Sequence, residues 1–110
     1  MRKYEILEPN IVLENENKIL SRRELEVLIL VAAGFENNQI ADIFKVTLST
    51  IKKQLEKIYI KLNAKNRANA VFIAQKSNII SLKDYNAVLN SPEIIDFISK
   101  QNSHFEKSYY

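Results

Sequence analysis

A block of lysine and arginine residues is the part of this sequence whose residue types and spacing indicate a chemical role. From Lys45 to Arg67 there are seven cations and one anion, Glu56, so the block carries a net charge of +6. The whole chain carries only +3, and the remaining residues are therefore net acidic. A basic block inside an otherwise acidic protein is typical of a surface that binds a polyanion. The alternative is a solvated helix face, and charge alone does not decide between them.

The residue types that catalysis and metal binding require are absent or isolated. The chain has no cysteine, which excludes disulfides and thiolate metal sites. Its single histidine, His104, lies near the end of the chain with no cluster of carboxylates around it. The sequence shows no nucleophile–base pair, glycine-rich phosphate loop or paired carboxylates. We therefore expect a protein that is not an enzyme and that uses no cofactor or metal.

The chain contains only one glycine and two prolines, which break helices, and no segment alternates apolar and polar residues with a period of two. We therefore expect helices to position the basic block. Ser21 and Glu24 have the spacing of a capping box that starts the first helix, and Gly34 is placed to end it. Glu24 can also order a distant cation, but we expect capping alone. Five more helices follow: Asn37 to Phe44, Leu48 to Leu62, Asn66 to about Ser77, and two shorter ones that begin after Ser81 and Ser91.

The ends of the chain are less regular. Residues 1–19 are predicted to be an arm or linker, and residues 81–110 a helical extension with a tail that frays from about Gln101. Nineteen residues are too few for a receiver or ligand-binding domain, so the chain is either a standalone protein or an excised piece. No signal peptide and no apolar stretch of about 18 residues is present, so we expect a cytoplasmic protein with no membrane contact.

The second and third helices have the features of a helix-turn-helix. Ala41 keeps the second helix thin where it crosses the third, and Val46 is suited to plug the core from the turn. Thr47 and Thr50 begin the third helix, where backbone N–H groups and hydroxyls bind phosphate. One face of the third helix is apolar, with Ile51, Leu55, Ile58 and Leu62. The opposite face carries Lys52, Lys53, Glu56, Lys57 and Lys61.

Residues Leu20 to Ile80 resemble the LuxR/FixJ/NarL-type DNA-binding domain. The resemblance rests on an ordered set of motifs: LSRRELEVL from Leu20 to Leu28, Gly34, Asn37, Ile40-Ala41, STIK from Ser49 to Lys52, Lys61-Leu62, and Arg67 with Ala70-Val71. It implies an all-α, four-helix helix-turn-helix domain, here with an added C-terminal helical extension. It also implies that the third helix enters the major groove and that the fourth mediates dimerisation.

Carried over by position, the resemblance assigns two sets of residues. The expected DNA-binding residues are Asn38, Thr47, Thr50, Lys52, Lys53, Glu56 and Lys57, of which Lys52, Lys53 and Glu56 lie nearest the bases. The expected dimer residues are Ala70, Val71 and Ala74. Glu56 can accept a hydrogen bond from cytosine N4, or it can pair with Lys52 or Lys53.

The function expected from these features is that of a transcriptional regulator that binds specific double-stranded DNA, as a homodimer on two half-sites. Region four of a sigma factor is an alternative with the same mechanism. A protein-interaction module is the alternative from another class: there the helix-turn-helix is degenerate and the apolar helix around Ile94 to Ile98 binds a regulatory partner protein. Within the domain itself, we expect that helix to pack against the fourth helix, because its apolar residues are costly to expose.

Overall fold

The computed structural model describes the backbone of residues 19–109 and the side chains of residues 19–101. Every regular element in that range is an α-helix, which confirms the all-α class. The predicted arm therefore lies almost wholly outside the described residues, as do the side chains of His104 and the tail. The six helices are α1 (Arg22–Ala32), α2 (Asn37–Phe44), α3 (Leu48–Leu62), α4 (Arg67–Lys76), α5 (Leu82–Leu89) and α6 (Pro92–Tyr109).

Side chains with short polar groups start most of the helices. The Ser21 hydroxyl accepts from the Glu24 N–H at 3.1 Å, and the Glu24 carboxylate accepts from the Ser21 N–H at 2.9 Å, so the predicted capping box is present. Equivalent caps begin the later helices: Thr47 at α3, Asn66 at α4 and Ser81 at α5. These bonds satisfy N–H groups that the helix itself leaves without acceptors, and each stabilises its helix by about 1 kcal/mol.

Left-handed residues end the helices and set the turns. Gly34, the predicted end of the first helix, and Asn78, which follows α4, have positive φ angles of 98° and 61°. Lys45 (φ 58°) closes the turn between α2 and α3, where the Val46 N–H donates to the Ala41 carbonyl at 3.0 Å. Val46 packs half-buried against the core, as predicted. The tight turn fixes the crossing of α2 and α3, which together form the helix-turn-helix.

The first helix, α1, lies at the centre of the molecule. It packs against α2, α3, α4 and α5. The sequence predicts one inward face with Leu25, Leu28, Ile29 and Ala32, but every residue from Arg23 to Val31 is buried. The difference arises because α5, from a distant part of the chain, covers a second side of α1. The local periodicity of α1 does not reveal that contact.

Three charged side chains of α1 pair with one another: Arg23 and Glu26 are buried, and Arg22 is half-buried. The Glu26 carboxylate accepts from Nε of Arg22 at 2.9 Å, and Nε of Arg23 lies 3.8 Å from its other oxygen. The Arg23 guanidinium also lies 4.1 Å from the centre of the Phe44 ring. Ion pairing and cation–π contact let these charges stay inside the fold, because an isolated buried charge is strongly unfavourable.

The last helix occupies a different position from the one predicted. It packs against α2 and α5, not against α4. Ile94 is fully buried, and the rings of Phe97 and Phe35 lie 5.9 Å apart. The helix also continues to Tyr109 instead of fraying from Gln101, since no glycine or proline follows Pro92 to break it.

Candidate nucleic-acid interface

One face of α3 is buried and the other is open along the whole helix. The buried residues are the four predicted, Ile51, Leu55, Ile58 and Leu62, and they pack against α1, α2 and α4. The side chains of Lys52, Lys53, Glu56 and Lys57 are all exposed. Their spacing of 1, 3 and 1 residues places them on the side opposite the core, because a helix turns once in about 3.6 residues. The cationic face of α3 is therefore free to meet a duplex.

The first turn of α3 offers donors to an anion. Thr47 and Thr50 join their hydroxyls at 2.9 Å, and the Thr50 N–H donates to Thr47 Oγ1 at 3.1 Å. The first N–H groups of the helix carry partial positive charge, which favours a phosphate beside them. Leu48 is 40% exposed in this turn and Ser49 is exposed too. Sequence reasoning missed both residues, although their place in the first turn of the predicted helix is the signal that identifies them.

The start of α2 adds to the same surface. Asn38, Leu48 and Lys52 line one open depression of about 400 Å³ between the first turns of α2 and α3. The structure thus places Asn38 of α2, predicted to contact phosphate, on the same depression as Lys52 of α3, predicted to reach the bases. Glu56 and Lys57 lie further along α3, and no salt bridge in the described part of the chain joins Glu56 to Lys52 or Lys53.

Two cations of the basic block, Lys61 and Arg67, bind other parts of the protein and so stabilise the fold. Lys61 donates to the Glu24 carboxylate at 2.8 Å, and this ion pair ties α3 to the start of α1. Arg67 donates to the Asn37 side chain and to the Phe35 carbonyl, both at 2.6 Å, and so holds the loop before α2 against α4. The other five cations of the block have exposed side chains that form no ion pair within the described part of the chain: Lys45, Lys52, Lys53, Lys57 and Lys65.

Glu24 has two roles, whereas the sequence predicted capping alone. Burial would raise the pKa of its carboxyl, but the hydrogen bond from Lys61 and the bonds from the backbone and hydroxyl of Ser21 outweigh burial. The charge of Lys61 acts in the same direction, so the pKa lies below its usual value of 4.5. The ionised carboxylate is therefore the form that the fold prefers.

This preference makes the stability of the fold depend on pH. Because the pKa of Glu24 is lower in the folded than in the unfolded chain, its contribution is present above the unfolded pKa near 4.5 and is lost as pH falls through the folded value. We expect Glu24→Gln to be less stable than the parent at pH 7 and to lose less stability on acidification below 4.5. Urea unfolding at pH 7 and at several acidic values measures both, and an identical acid slope in the two proteins contradicts the assignment.

The predicted dimer residues lie mostly inside the protein. Ala70 and Ala74 are fully buried because α4 packs against α1 and α3 through these small side chains. Neither side chain therefore presents surface to a second copy, and their assignment to a dimer interface needs correction. Val71 is half-buried, and the large apolar side chain that α4 exposes is Phe72.

Among the residues that the structure describes, no group of three histidine, aspartate or glutamate side chains is placed to hold a metal ion. No helix in the same part of the chain is both long and apolar enough to span a membrane.

Comparison with known proteins identifies the family. Residues 18–74 match the model of the bacterial regulatory proteins of the luxR family. The chain is also 31% identical, over 84 residues, to the response regulator protein VraR of Staphylococcus aureus and to the protein of the same name from Staphylococcus epidermidis. These alignments cover 68% of the chain and 40% of each relative, so the chain spans well under half the length of these relatives. No solved structure matches the chain.

The family match includes α1, α2 and α3 and ends within α4, so it contains the whole exposed face of α3. The matched range starts two residues before the predicted domain of residues 20–80 and stops six residues short of that domain's end. The chain belongs to the luxR family of bacterial regulatory proteins.

Proposed function

We propose that the chain is a sequence-specific regulator of transcription that binds double-stranded DNA with α3 in the major groove. The observation that carries the proposal is the open cationic face of α3, fixed from behind by four buried aliphatic residues. A helix about 10–12 Å in diameter fits the major groove, whose base edges are distinct for every base pair. Family membership supports the same function, and no catalytic role is proposed.

The contacts divide into two kinds. We assign Lys52, Lys53 and Glu56 to base edges and nearby phosphates, since they lie on adjacent turns of the exposed face. Lysine donates to guanine O6 and N7, and the Glu56 carboxylate accepts from cytosine N4. Phosphates would be held by Asn38, Thr47, Thr50 and Lys57, which fix the register of the protein on the duplex.

The proposed assembly is a homodimer in the cytoplasm on two half-sites about one helical turn apart. Val71 and Phe72 of α4 are the residues that remain for a contact along the fourth helix, since Ala70 and Ala74 are buried. If the chain were instead region four of a sigma factor, it would bind RNA polymerase core enzyme. A pull-down with core enzyme separates these two possibilities.

Selection from a random library of duplexes, followed by titration of the enriched site, tests the proposal. We expect binding that weakens as salt rises, because each lysine–phosphate contact releases condensed counterions. If the five exposed lysines of the basic block are the ones that contact phosphates, the slope of log K against log salt reaches about −4.5 per copy, at about −0.9 per contact. Failure to enrich any site, with no salt-dependent affinity at low ionic strength, would contradict the proposal and favour the protein-interaction module.

A further inference from the structure

The last helix, α6, has two apolar stripes: one packs against the rest of the protein, and the other is partly exposed to solvent. Ile94 and Phe97 face α2, α5 and the loop before α2, where they are buried or half-buried. Ile95 and Ile98, by contrast, are 53% and 37% exposed. They are three residues apart and so lie one turn apart on the same side of α6. Ile98 is partly covered, since it borders Phe35 and Gln39 across an open depression, but both isoleucines leave apolar surface in water, which is costly.

The sequence continues the spacing of this stripe to the end of the helix. From Ile95 the steps are three, four, three and four residues, to Ile98, Asn102, Phe105 and Tyr109. The backbone of α6 is helical over that whole range. Alternating steps of three and four residues define the a and d positions of a heptad, the pattern by which two helices pair along a seam. In this frame Asn102 occupies an a position.

The charges of α6 are kept away from the stripe. Between Ile95 and Tyr109 there are four charged residues, and Asp96, Lys100 and Lys107 fall at b and f positions. Asp96 and Lys100 form an ion pair of 3.1 Å on that outer side. The flanking e and g positions hold Ser99, Gln101, Glu106 and Ser108. In a parallel pair, Gln101 of one copy would face Glu106 of the other, so no like charges meet across the seam.

We propose that α6 pairs with α6 of a second copy as a short, parallel, two-stranded coiled coil. The occupant is a second copy of this chain because the self-complementary flanks carry no repulsion and because a single asparagine at an a position specifies two strands in register. The proposal goes beyond DNA binding, since it concerns a surface on a different helix from α3 and from the family match.

The proposed contact is small. The fifteen residues from Ile95 to Tyr109 span about 22 Å, so the seam has about two heptads. A seam of this length buries less area than a stable protein interface does. We therefore expect a weak dimer in the absence of DNA, with a Kd in the micromolar range or weaker. Occupation of two neighbouring half-sites would then strengthen it, because the second copy binds at high effective concentration.

Sedimentation velocity of the intact chain without DNA, from about 1 µM to about 1 mM, tests the proposal. We expect reversible dimers in the parent protein and monomers in Ile95→Glu. The matched control is Leu82→Glu, which places the same charge at a side chain 75% exposed on α5 and should leave dimerisation unchanged. Monomers of the parent at every concentration, or equal association of parent and Ile95→Glu, would overturn the proposal.

Cross-linking tests the register. The chain contains no cysteine, so a single introduced thiol reacts only with its copy in the partner. A parallel seam brings the two residues 102 together, and Asn102→Cys should oxidise to a disulfide-linked dimer. Lys100→Cys, at an outward f position, should not. Equal cross-linking of the two variants contradicts the seam, and it does so independently of DNA binding.

A single half-site duplex separates this proposal from the function of α3. One copy should bind that duplex equally well as the parent protein or as Ile95→Glu. Loss of dimers with half-site binding intact locates the defect in α6, whereas absence of half-site binding in both proteins contradicts the DNA-binding proposal alone.

Discussion

Replacing Lys52 and Lys53 together by glutamate should lower the affinity for a selected DNA site roughly a hundredfold or more, at about 1–3 kcal/mol for each lost contact. Both side chains are exposed, and the ion pairs that hold the fold use Lys61 and other cations instead. The melting temperature should therefore stay near that of the parent. The slope of log K against log salt should also become shallower, by about 0.9 for each lysine that met a phosphate. Fluorescence anisotropy over a salt series measures both quantities.

The matched control moves the same charge change elsewhere. Lys76 on α4 and Lys100 on α6 are exposed and lie outside the cationic face of α3. Lys76→Glu with Lys100→Glu should therefore reduce affinity far less. If the two double variants lose the same affinity, only the total charge of the protein matters, and the assignment of DNA contact to α3 is wrong.

Truncating Ile94 to alanine should lower the free energy of unfolding by about 2–5 kcal/mol. Ile94 is fully buried where α6 meets the rest of the protein, and alanine would leave a cavity there. A change of that size is a large part of the stability of a small domain, and it should lower the melting temperature by about 4–8 °C for each kcal/mol. Urea unfolding followed by circular dichroism at low protein concentration gives the value.

Leu82→Ala is the companion variant for this measurement. It removes the same kind of side chain at a position 75% exposed, where the expected change is within about 0.5 kcal/mol. Equal destabilisation of the two variants would mean that α6 is not part of the core. Ile94→Ala should bind DNA normally at temperatures at which it stays folded, because Ile94 is distant in sequence from α3 and packs against other helices.

The third helix, α3, was predictable because its signals are local. Thr47 and Thr50 provide a cap, and the apolar residues recur every three or four positions as far as Leu62. The predicted bounds of α2 and α3 are those of the structure, as are the four residues that α3 buries. All of this information lies within about 25 neighbouring residues.

Contacts between distant residues were not predictable in the same way. Lys61 is 37 positions from Glu24, and Arg67 is 30 positions from Asn37, so the sequence pattern assigns both cations to one uniform basic surface. The apolar run of α6 indicates burial, but only the three-dimensional packing shows that α2 and α5 provide it. The small side chains of Ala70 and Ala74 fit an interface between copies as well as one within the chain, and α1 and α3 occupy it.

The central position of α1 has a consequence for how the protein loses its structure. One side of that helix supports the helix-turn-helix, and α5 covers another. Heat or urea should therefore melt all six helices in one cooperative step, with no stage in which the helix-turn-helix survives alone. A fragment cut near residue 74, where the family resemblance ends, would leave aliphatic side chains of α1 in water, and we expect it to aggregate.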